Sequence, residues 1–177
     1  MSTPPRHPLP FSALQALDQR GFAALLGPVV EHSAWVAVET WNARPFKDWE
    51  ALAEAMTGTL LGASPERQLA LLRVHPELAG QEALAGTMTP DSLNEQGRLG
   101  LLRLSSEAFQ KLGSLNQRYQ ARFGFPFVVA LRLHDSLDSV FASLESRLNN
   151  DADTERELAV GQVVEVMRGR WPRCRRD

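Results

Sequence analysis

Residues 109–123 read "FQKLGSLNQRYQARF", and their apolar side chains recur at intervals of three and four residues. Phe109, Leu112 and Tyr119 would therefore lie on one face of a helix. The same spacing recurs along most of the chain. Only "FVVAL" at 127–131 looks extended, and one such piece cannot form a sheet. The pattern predicts an all-α, single-domain bundle of about seven or eight helices.

Size and charge narrow the classes of function. A chain of 177 residues suits one domain with a real core. With 19 basic and 21 acidic side chains the net charge is -2, so no general attraction to nucleic acid or to an anionic membrane surface is expected. No apolar run approaches the ~18 residues that span a bilayer. We therefore expect no nucleic-acid partner and no membrane partner.

Other features suggest where the protein works. The start, "MSTPPRHPLP", has no apolar signal core, and we expect residues 1–10 to be a flexible lead-in. Cys174 is the single cysteine, so no intrachain disulfide can form, and a reducing compartment is expected. The tail "RCRRD" is no peroxisomal address. Cytoplasm is the default expectation.

The longest interruption of the helical pattern is "HPELAGQEALAGTMTP" at 75–90. Loops of this length are uncommon in compact domains and are often functional. His75 opens the loop just past a predicted helix at 65–73, because Pro76 disfavours the helical conformation of the residue before it. A lone histidine beside a proline is most often a surface turn residue, so its surroundings must decide its role.

The loop closes into a helix at "TPDSLNEQGRLGLL", residues 89–102. Thr89 could cap this helix, but Ser92 with Glu95 also fits a capping box, which needs no function. Gln96 lies outside that box. In a helix starting at Thr89, positions 92, 95 and 96 place a hydroxyl, a carboxylate and an amide on one face, which could bind a polar ligand.

A third motif is "FGFPFVVALR" at 123–132. Pro126 is expected to end the preceding helix, and the rings of Phe123, Phe125 and Phe127 are expected to fill the core. The backbone groups freed from regular bonding need partners, and they can hydrogen-bond a planar amide ligand.

Together with "VVEHSAWVAVETWNARPF" at 29–46, these motifs resemble the 2-oxo-4-hydroxy-4-carboxy-5-ureidoimidazoline (OHCU) decarboxylases of uric acid breakdown. The resemblance covers residues 11–171 and leaves a tail at 172–177. It implies an all-helical enzyme, often dimeric and without a cofactor, that forms (S)-allantoin and carbon dioxide. The sequence departs from the family's usual Asp at Glu77 and from its usual Pro at Ala34, neither of which is assigned a chemical role.

The resemblance also implies site residues. The catalytic residues it implies are His75 as acid, Glu95 and Arg170. The substrate-binding residues it implies are Pro76, Ser92, Leu93, Asn94, Glu95, Gln96, Phe127, Val128, Val129, Ala130 and Leu131. No metal is implied, and no cofactor is needed, since a ring C=N of the substrate can accept the electron pair that decarboxylation leaves.

Either of two arginines near the end could be the family's late arginine. On a helix starting near Thr154, Arg170 continues the apolar stripe of Ala159 and Val163, whereas Arg168 lies on a mixed face. An arginine at the inner end of such a stripe needs an anion. That anion could be the substrate's carboxylate or a structural carboxylate of the protein, and both alternatives stay open.

Two rival functions would use other residues of the chain. A helical protein–protein interaction module without catalytic activity could use Trp35, Trp41 and Trp49 as a partner groove. A metal hydrolase would need ligand spacing such as H-x-x-x-H, and the four histidines His7, His32, His75 and His134 lack it. The resemblance implies a small-molecule ureidoimidazoline substrate and a homodimer.

Overall fold

The computed structural model describes residues 8–80, 83 and 85–176 of the chain. Its helices confirm the all-α class, and the described residues form no β-strand. They group into two compact units. We call the residues up to Ser64 together with those from Val164 onward the terminal unit, and Pro65–Val163 the central unit.

Nine α-helices occur among the described residues, against the seven or eight predicted. The terminal unit contains α1 (Phe11–Gln15), α2 (Gln19–Leu26), α3 (Trp35–Thr40) and α4 (Trp49–Leu61). The central unit contains α5 (Pro65–Arg73), α6 (Pro90–Arg98), α7 (Ser106–Phe123) and α8 (Leu137–Arg147). The last helix, α9 (Ala152–Arg170), begins in the central unit and ends in the terminal unit. None of these helices is long and apolar enough to cross a membrane.

Aromatic rings fill part of the core of the terminal unit. Trp49 is 7% exposed and meets Trp171 edge to face, with ring centroids 5.8 Å apart. Phe22 meets Trp41 in the same way at 5.3 Å. Such pairs contribute about 0.5–1.5 kcal/mol each beyond their burial. Trp49 is therefore a core residue, whereas Trp35 and Trp41 are half-buried.

The first and last described segments pair with each other in the terminal unit. The Leu9 N–H donates to the Cys174 carbonyl at 3.2 Å, and the Arg176 N–H donates to the Leu9 carbonyl at 2.9 Å. The lead-in predicted at 1–10 falls largely on residues 1–7, which lie outside the described residues, as does the last residue of the predicted tail.

The core of the central unit is built around the ring of Tyr119. Centroid distances from this ring are 4.8 Å to Phe123, 5.8 Å to Phe125 and 5.3 Å to Phe127. All four side chains are buried, which confirms that the rings fill the core. Helix α7 ends before Pro126, because Gly124 takes a left-handed conformation with φ of 75° and donates its N–H to the Gln120 carbonyl.

A buried ion pair lies beside these rings. Arg147 donates from Nη2 to Glu155 Oε1 at 2.6 Å and from Nε to the same oxygen at 2.8 Å. Tyr119 also donates its hydroxyl to this oxygen, and Asn150 donates to the other carboxylate oxygen at 2.7 Å. Burial raises the pKa of Tyr119 far above its usual value, so the hydroxyl keeps its proton and remains a donor. We call Tyr119, Arg147, Asn150 and Glu155 the Glu155 network.

The Glu155 network predicts that Arg147→Met and Lys111→Met will lower the free energy of unfolding by very different amounts. We expect Arg147→Met to lower the free energy of unfolding by about 3–5 kcal/mol, because it leaves a fully buried carboxylate without its cation. The matched control is Lys111→Met, which breaks an exposed pair with Glu145 and should cost about 0–1 kcal/mol. Urea unfolding measures both values, and equal losses would contradict the role of the network.

Candidate active site

His75 lies just past the end of α5, as the sequence predicts, and is half-buried. Its ring Nδ1 lies 3.1 Å from the carbonyl oxygen of Leu71, one turn earlier. A carbonyl oxygen can only accept, so this contact requires the proton on Nδ1. The contact fixes the orientation of the ring and makes Nε2 the nitrogen that gains and loses a proton.

The loop that follows His75 is anchored by side chains of other helices. Ala79 takes a left-handed conformation, with φ of 49°, which is unfavourable for a residue with a Cβ. Its N–H donates to Gln96 Oε1 of α6 at 2.9 Å. Asn116 of α7 donates from Nδ2 to the carbonyl of the preceding residue, Leu78, at 3.1 Å. These two amides hold the loop in its strained shape.

The packing within the loop requires a glycine at position 80. A Cβ on Gly80 would lie 2.8 Å from the Cβ of Glu77, a distance that real side chains do not reach. A cavity of about 210 Å³ lies beside this part of the loop, against α7. Of the loop predicted at 75–90, residues 81, 82 and 84 lie outside the described residues.

The N-terminus of α6 decides between the two capping alternatives. Thr89 is the N-cap, and its hydroxyl accepts the N–H of Ser92 at 3.3 Å. Pro90 occupies the first helical position, where no N–H is required. Ser92 and Glu95 therefore lie inside the helix, and the capping box is not the reason for their spacing.

The residues of α6 divide between two faces. Ser92 and Gln96 are 4% and 3% exposed, and Glu95 is half-buried. These three residues share one face, as their spacing predicts. Leu93 and Asn94, which the family resemblance also assigned to substrate binding, are exposed on the other side of the helix. The structure thus does not bring Leu93 and Asn94 together with the other three.

All five residues from Phe127 to Leu131 are buried. Val128 C=O accepts from Arg147 Nη1 at 2.8 Å, and Ala130 N–H donates to Gln162 Oε1 at 3.0 Å. The Leu131 carbonyl accepts from Arg98. For the N–H and C=O of Val129, no hydrogen-bond partner is found among the described residues. The segment thus offers one donor and one acceptor, both from the backbone of Val129.

Sequence reasoning missed the polar side chains that join these pieces. Arg98 extends from α6 to the carbonyls of Leu131 and His134, the latter at 2.9 Å. Asn116 and Gln162 were missed as well. A signal was present, because Asn116 lies in the apolar stripe of Leu112 and Tyr119 and Gln162 lies three residues after Ala159. A polar residue inside an apolar stripe is a candidate for a buried hydrogen bond.

The other described histidines have different surroundings. His32 is exposed in the terminal unit. Burial lowers the pKa of His134, whose Nδ1 lies 2.9 Å from the Ser139 hydroxyl. His7 lies outside the described residues. Within the described part of the chain, no group of three or more metal-ligating side chains comes together.

Arg170 and Arg168 have opposite environments within the terminal unit. Arg170 is 3% exposed, as the stripe predicts, and donates from Nη2 to Glu31 Oε2 at 3.1 Å. The Arg168 side chain is 59% exposed and pairs with Glu165 at 2.6 Å. Glu31 is itself buried, so Arg170 has a structural carboxylate as a partner, one of the two alternatives that the sequence leaves open.

Comparison with known proteins agrees with the motifs. Residues 15–171 match the family model described as OHCU decarboxylase. The OHCU decarboxylase of Haloferax volcanii is 36% identical over 157 residues, covering 89% of this chain and 90% of the relative.

The chain belongs to the OHCU decarboxylase family. Membership places it among the carboxy-lyases, enzymes that break a carbon–carbon bond to release carbon dioxide. The OHCU decarboxylase of Halalkalicoccus jeotgali is 35% identical over 150 residues, covering 85% of this chain and 82% of the relative. The fold also resembles that of a crystal structure of (S)-allantoin synthase, with a TM-score of 0.71 and 24% identity, covering 93% of this chain and 53% of the other.

Replacing each of the two arginines by lysine tests which of them contributes to the activity of this OHCU decarboxylase family member. We expect Arg170→Lys to lower turnover of OHCU at least ~10-fold more than Arg168→Lys, because lysine keeps the charge but not the planar two-point contact with a carboxylate. Steady-state kinetics on the folded fraction of each variant measures the difference.

Glu31→Gln is the control that separates binding from folding. It removes the charge of the Glu31 carboxylate and leaves Arg170 in place. If the role of Arg170 is only structural, Glu31→Gln and Arg170→Lys will both lower the melting temperature and leave turnover per folded molecule unchanged. That pattern would exclude a role for Arg170 in substrate binding.

Proposed function

We propose that this protein decarboxylates OHCU to (S)-allantoin and carbon dioxide, without a cofactor and with His75 as the general acid. The observation that carries the proposal is the contact of His75 Nδ1 with the Leu71 carbonyl, 3.1 Å away, which holds the ring on the loop that α6 anchors. Family membership supports the reaction, and the ring geometry supports the role of the histidine.

The chemistry asks little of the protein beyond positioning and one proton. The bond between the carboxylate and the hydroxyl-bearing ring carbon breaks, and its electron pair moves toward the neighbouring C=N, whose nitrogen takes a proton. An enol results. Ketonisation then needs a proton on the ureido-bearing carbon while the hydroxyl loses its own, and a positioned imidazole suits that transfer. Delivery to one face gives a single enantiomer.

His75 is suited to this step by its fixed tautomer. With Nδ1–H donated to a backbone carbonyl, the proton that His75 gives to the substrate comes from Nε2. The bond to the Leu71 carbonyl restricts rotation of the ring, so Nε2 keeps a constant direction. Pro76 would line the site beside it.

The buried face of α6 supplies polar partners for the substrate. Gln96 uses Oε1 to hold Ala79, while its Nε2 has no acceptor among the described residues and can donate to a substrate carbonyl. Ser92 would add a hydroxyl. Glu95 would accept N–H bonds from the ring or ureido group, or orient His75.

The remaining parts of the proposal are carried over from the family resemblance. Arg170 would bind the substrate's carboxylate. We further expect a homodimer, a cytoplasmic location and a role in the pathway that converts urate to allantoin. A crystal structure of an OHCU decarboxylase determined in the presence of (S)-allantoin has a similar fold, with a TM-score of 0.64 and 18% identity over 81% of this chain and 92% of the other.

Freshly generated OHCU and the purified protein test the reaction directly. The uncatalysed route gives racemic allantoin, so optical rotation reports the enzyme's product. We expect His75→Ala to lower turnover by at least ~100-fold, the usual effect of removing a general acid. His32→Ala, at an exposed histidine, is the control. A folded His75→Ala variant with near wild-type turnover would reduce His75 to a turn residue.

Glu95→Gln tests the carboxylate separately. Since Thr89 caps α6, glutamine at position 95 should leave the melting temperature nearly unchanged. We expect turnover to fall by at least ~10-fold, because an amide cannot replace the charge that accepts N–H bonds. Glu54→Gln, at an exposed carboxylate of α4, serves as control. Full activity in a stable Glu95→Gln variant would exclude a catalytic role.

A further inference from the structure

Some backbone groups between Val128 and Ala130 have hydrogen-bond partners, and others do not. Val128 C=O accepts from Arg147 Nη1 at 2.8 Å, and Ala130 N–H donates to Gln162 Oε1 at 3.0 Å. Val129 lies between them and is 6% exposed, yet within the described residues nothing pairs with its N–H or its C=O. Buried backbone groups are rarely left without partners, so this exception needs an explanation.

The geometry of an extended chain relates these facts. Ala130 has extended dihedral angles, and residues 127–130 form no helix. In an extended chain, the C=O of one residue and the N–H of the residue two positions later point to the same side, while the groups of the middle residue point to the other. Arg147 and Gln162 would thus hold one side of the segment and turn the Val129 pair toward the opposite side.

The Arg147 side chain is itself held in place. Arg147 donates from Nε and Nη2 to Glu155. The third nitrogen of its rigid planar group, Nη1, donates to the Val128 carbonyl. Its guanidinium lies over the ring of Phe127, 4.5 Å from the ring centroid. Gln162 must present its oxygen to Ala130, because the partner is an N–H donor. Arg147 therefore fixes the direction of the Val128 carbonyl, and Gln162 adds the bond to Ala130.

We propose that Gln162 and Arg147 are positioning residues that aim the Val129 N–H and C=O at an adjacent C=O and N–H of the substrate. The inference rests on the proposed function, since a ureido group or a ring amide carries the required acceptor and donor side by side. One extended residue can exchange two hydrogen bonds with such a group, as paired residues do in an antiparallel sheet.

Gln162 is the better residue to test, because removing Arg147 would unpair a buried carboxylate. Gln162→Met keeps the length of the side chain and loses the acceptor, whereas Gln162→Glu keeps an oxygen for Ala130. Gln120→Met, at an exposed glutamine of α7, is the matched control. Affinity for (S)-allantoin is measured by calorimetry. This ligand carries both a ureido group and a ring amide. Because it is neutral, the negative charge of glutamate at position 162 should not repel it, whereas it would repel the anionic substrate.

We expect Gln162→Met to raise the Kd for (S)-allantoin and the KM for OHCU about tenfold, the effect of losing one well-placed hydrogen bond, with a smaller change in kcat. Gln162→Glu should recover most of the affinity for (S)-allantoin, and Gln120→Met should match the wild type. An unchanged Kd in Gln162→Met, or no recovery in Gln162→Glu, overturns the proposal. A purely structural role would instead lower the melting temperature of Gln162→Met and leave its Kd unchanged.

A measurement on the wild-type protein keeps the proposal testable should Gln162→Met fail to fold. Saturating (S)-allantoin should slow amide hydrogen exchange at Val129 by at least ~10-fold and leave Ala130, which already donates to Gln162, nearly unchanged. Slowing at Ala130 alone, or at neither residue, overturns the proposal. If the wild type binds (S)-allantoin in this way but does not turn over OHCU, the proposed function fails and the positioning role stands.

Discussion

The ion pair between Arg147 and Glu155 is the interaction on which the central unit depends. Removing two such charges from water costs several kcal/mol per ion, so the pair is tolerable only because each remaining polar atom finds a partner. Tyr119 and Asn150 complete the carboxylate, and the guanidinium reaches on to the Val128 carbonyl. One charge pair thereby links three helices to a segment that has no regular secondary structure.

Side chains take the place of strand partners in the rest of this unit. An all-α fold has no sheet to hold an extended segment or a strained loop, so amide and guanidinium groups from the helices do so. Gln96 and Asn116 hold the loop after His75, and Arg98 and Gln162 hold the segment that contains Val129. Groups arranged in this way need little reorganisation when a ligand arrives, which favours both affinity and catalysis.

The helical class and the core rings were predictable, because apolar spacing depends only on local geometry. The same spacing places Phe109 on the apolar face of α7, and this prediction is wrong, because Phe109 is 42% exposed. Neither the choice of Thr89 as cap nor the exposure of Leu93 was decided by the sequence, since both depend on where the helix begins and what it packs against. The roles of Gln162 and Asn116 depend on contacts distant in sequence, which spacing along one helix cannot predict.

Arg170 illustrates the same limit at the other end of α9. Its inward direction follows from the stripe of Ala159 and Val163, and its burial agrees. Its partner Glu31 lies 139 residues earlier in the chain, and no local pattern connects the two. Periodicity thus predicts which way a side chain points, whereas the identity of its partner depends on the tertiary fold.

The burial of Tyr119 allows its ultraviolet absorbance to report on unfolding of the central unit. Tyr119 is the only tyrosine in the chain, and desolvation keeps its hydroxyl protonated above the usual pKa of about 10. The folded state therefore binds a proton that the unfolded state releases in alkali, so stability falls as the pH rises above that value. Phenolate absorbance in the near ultraviolet will appear only when the central unit opens, and it reports that opening without any label.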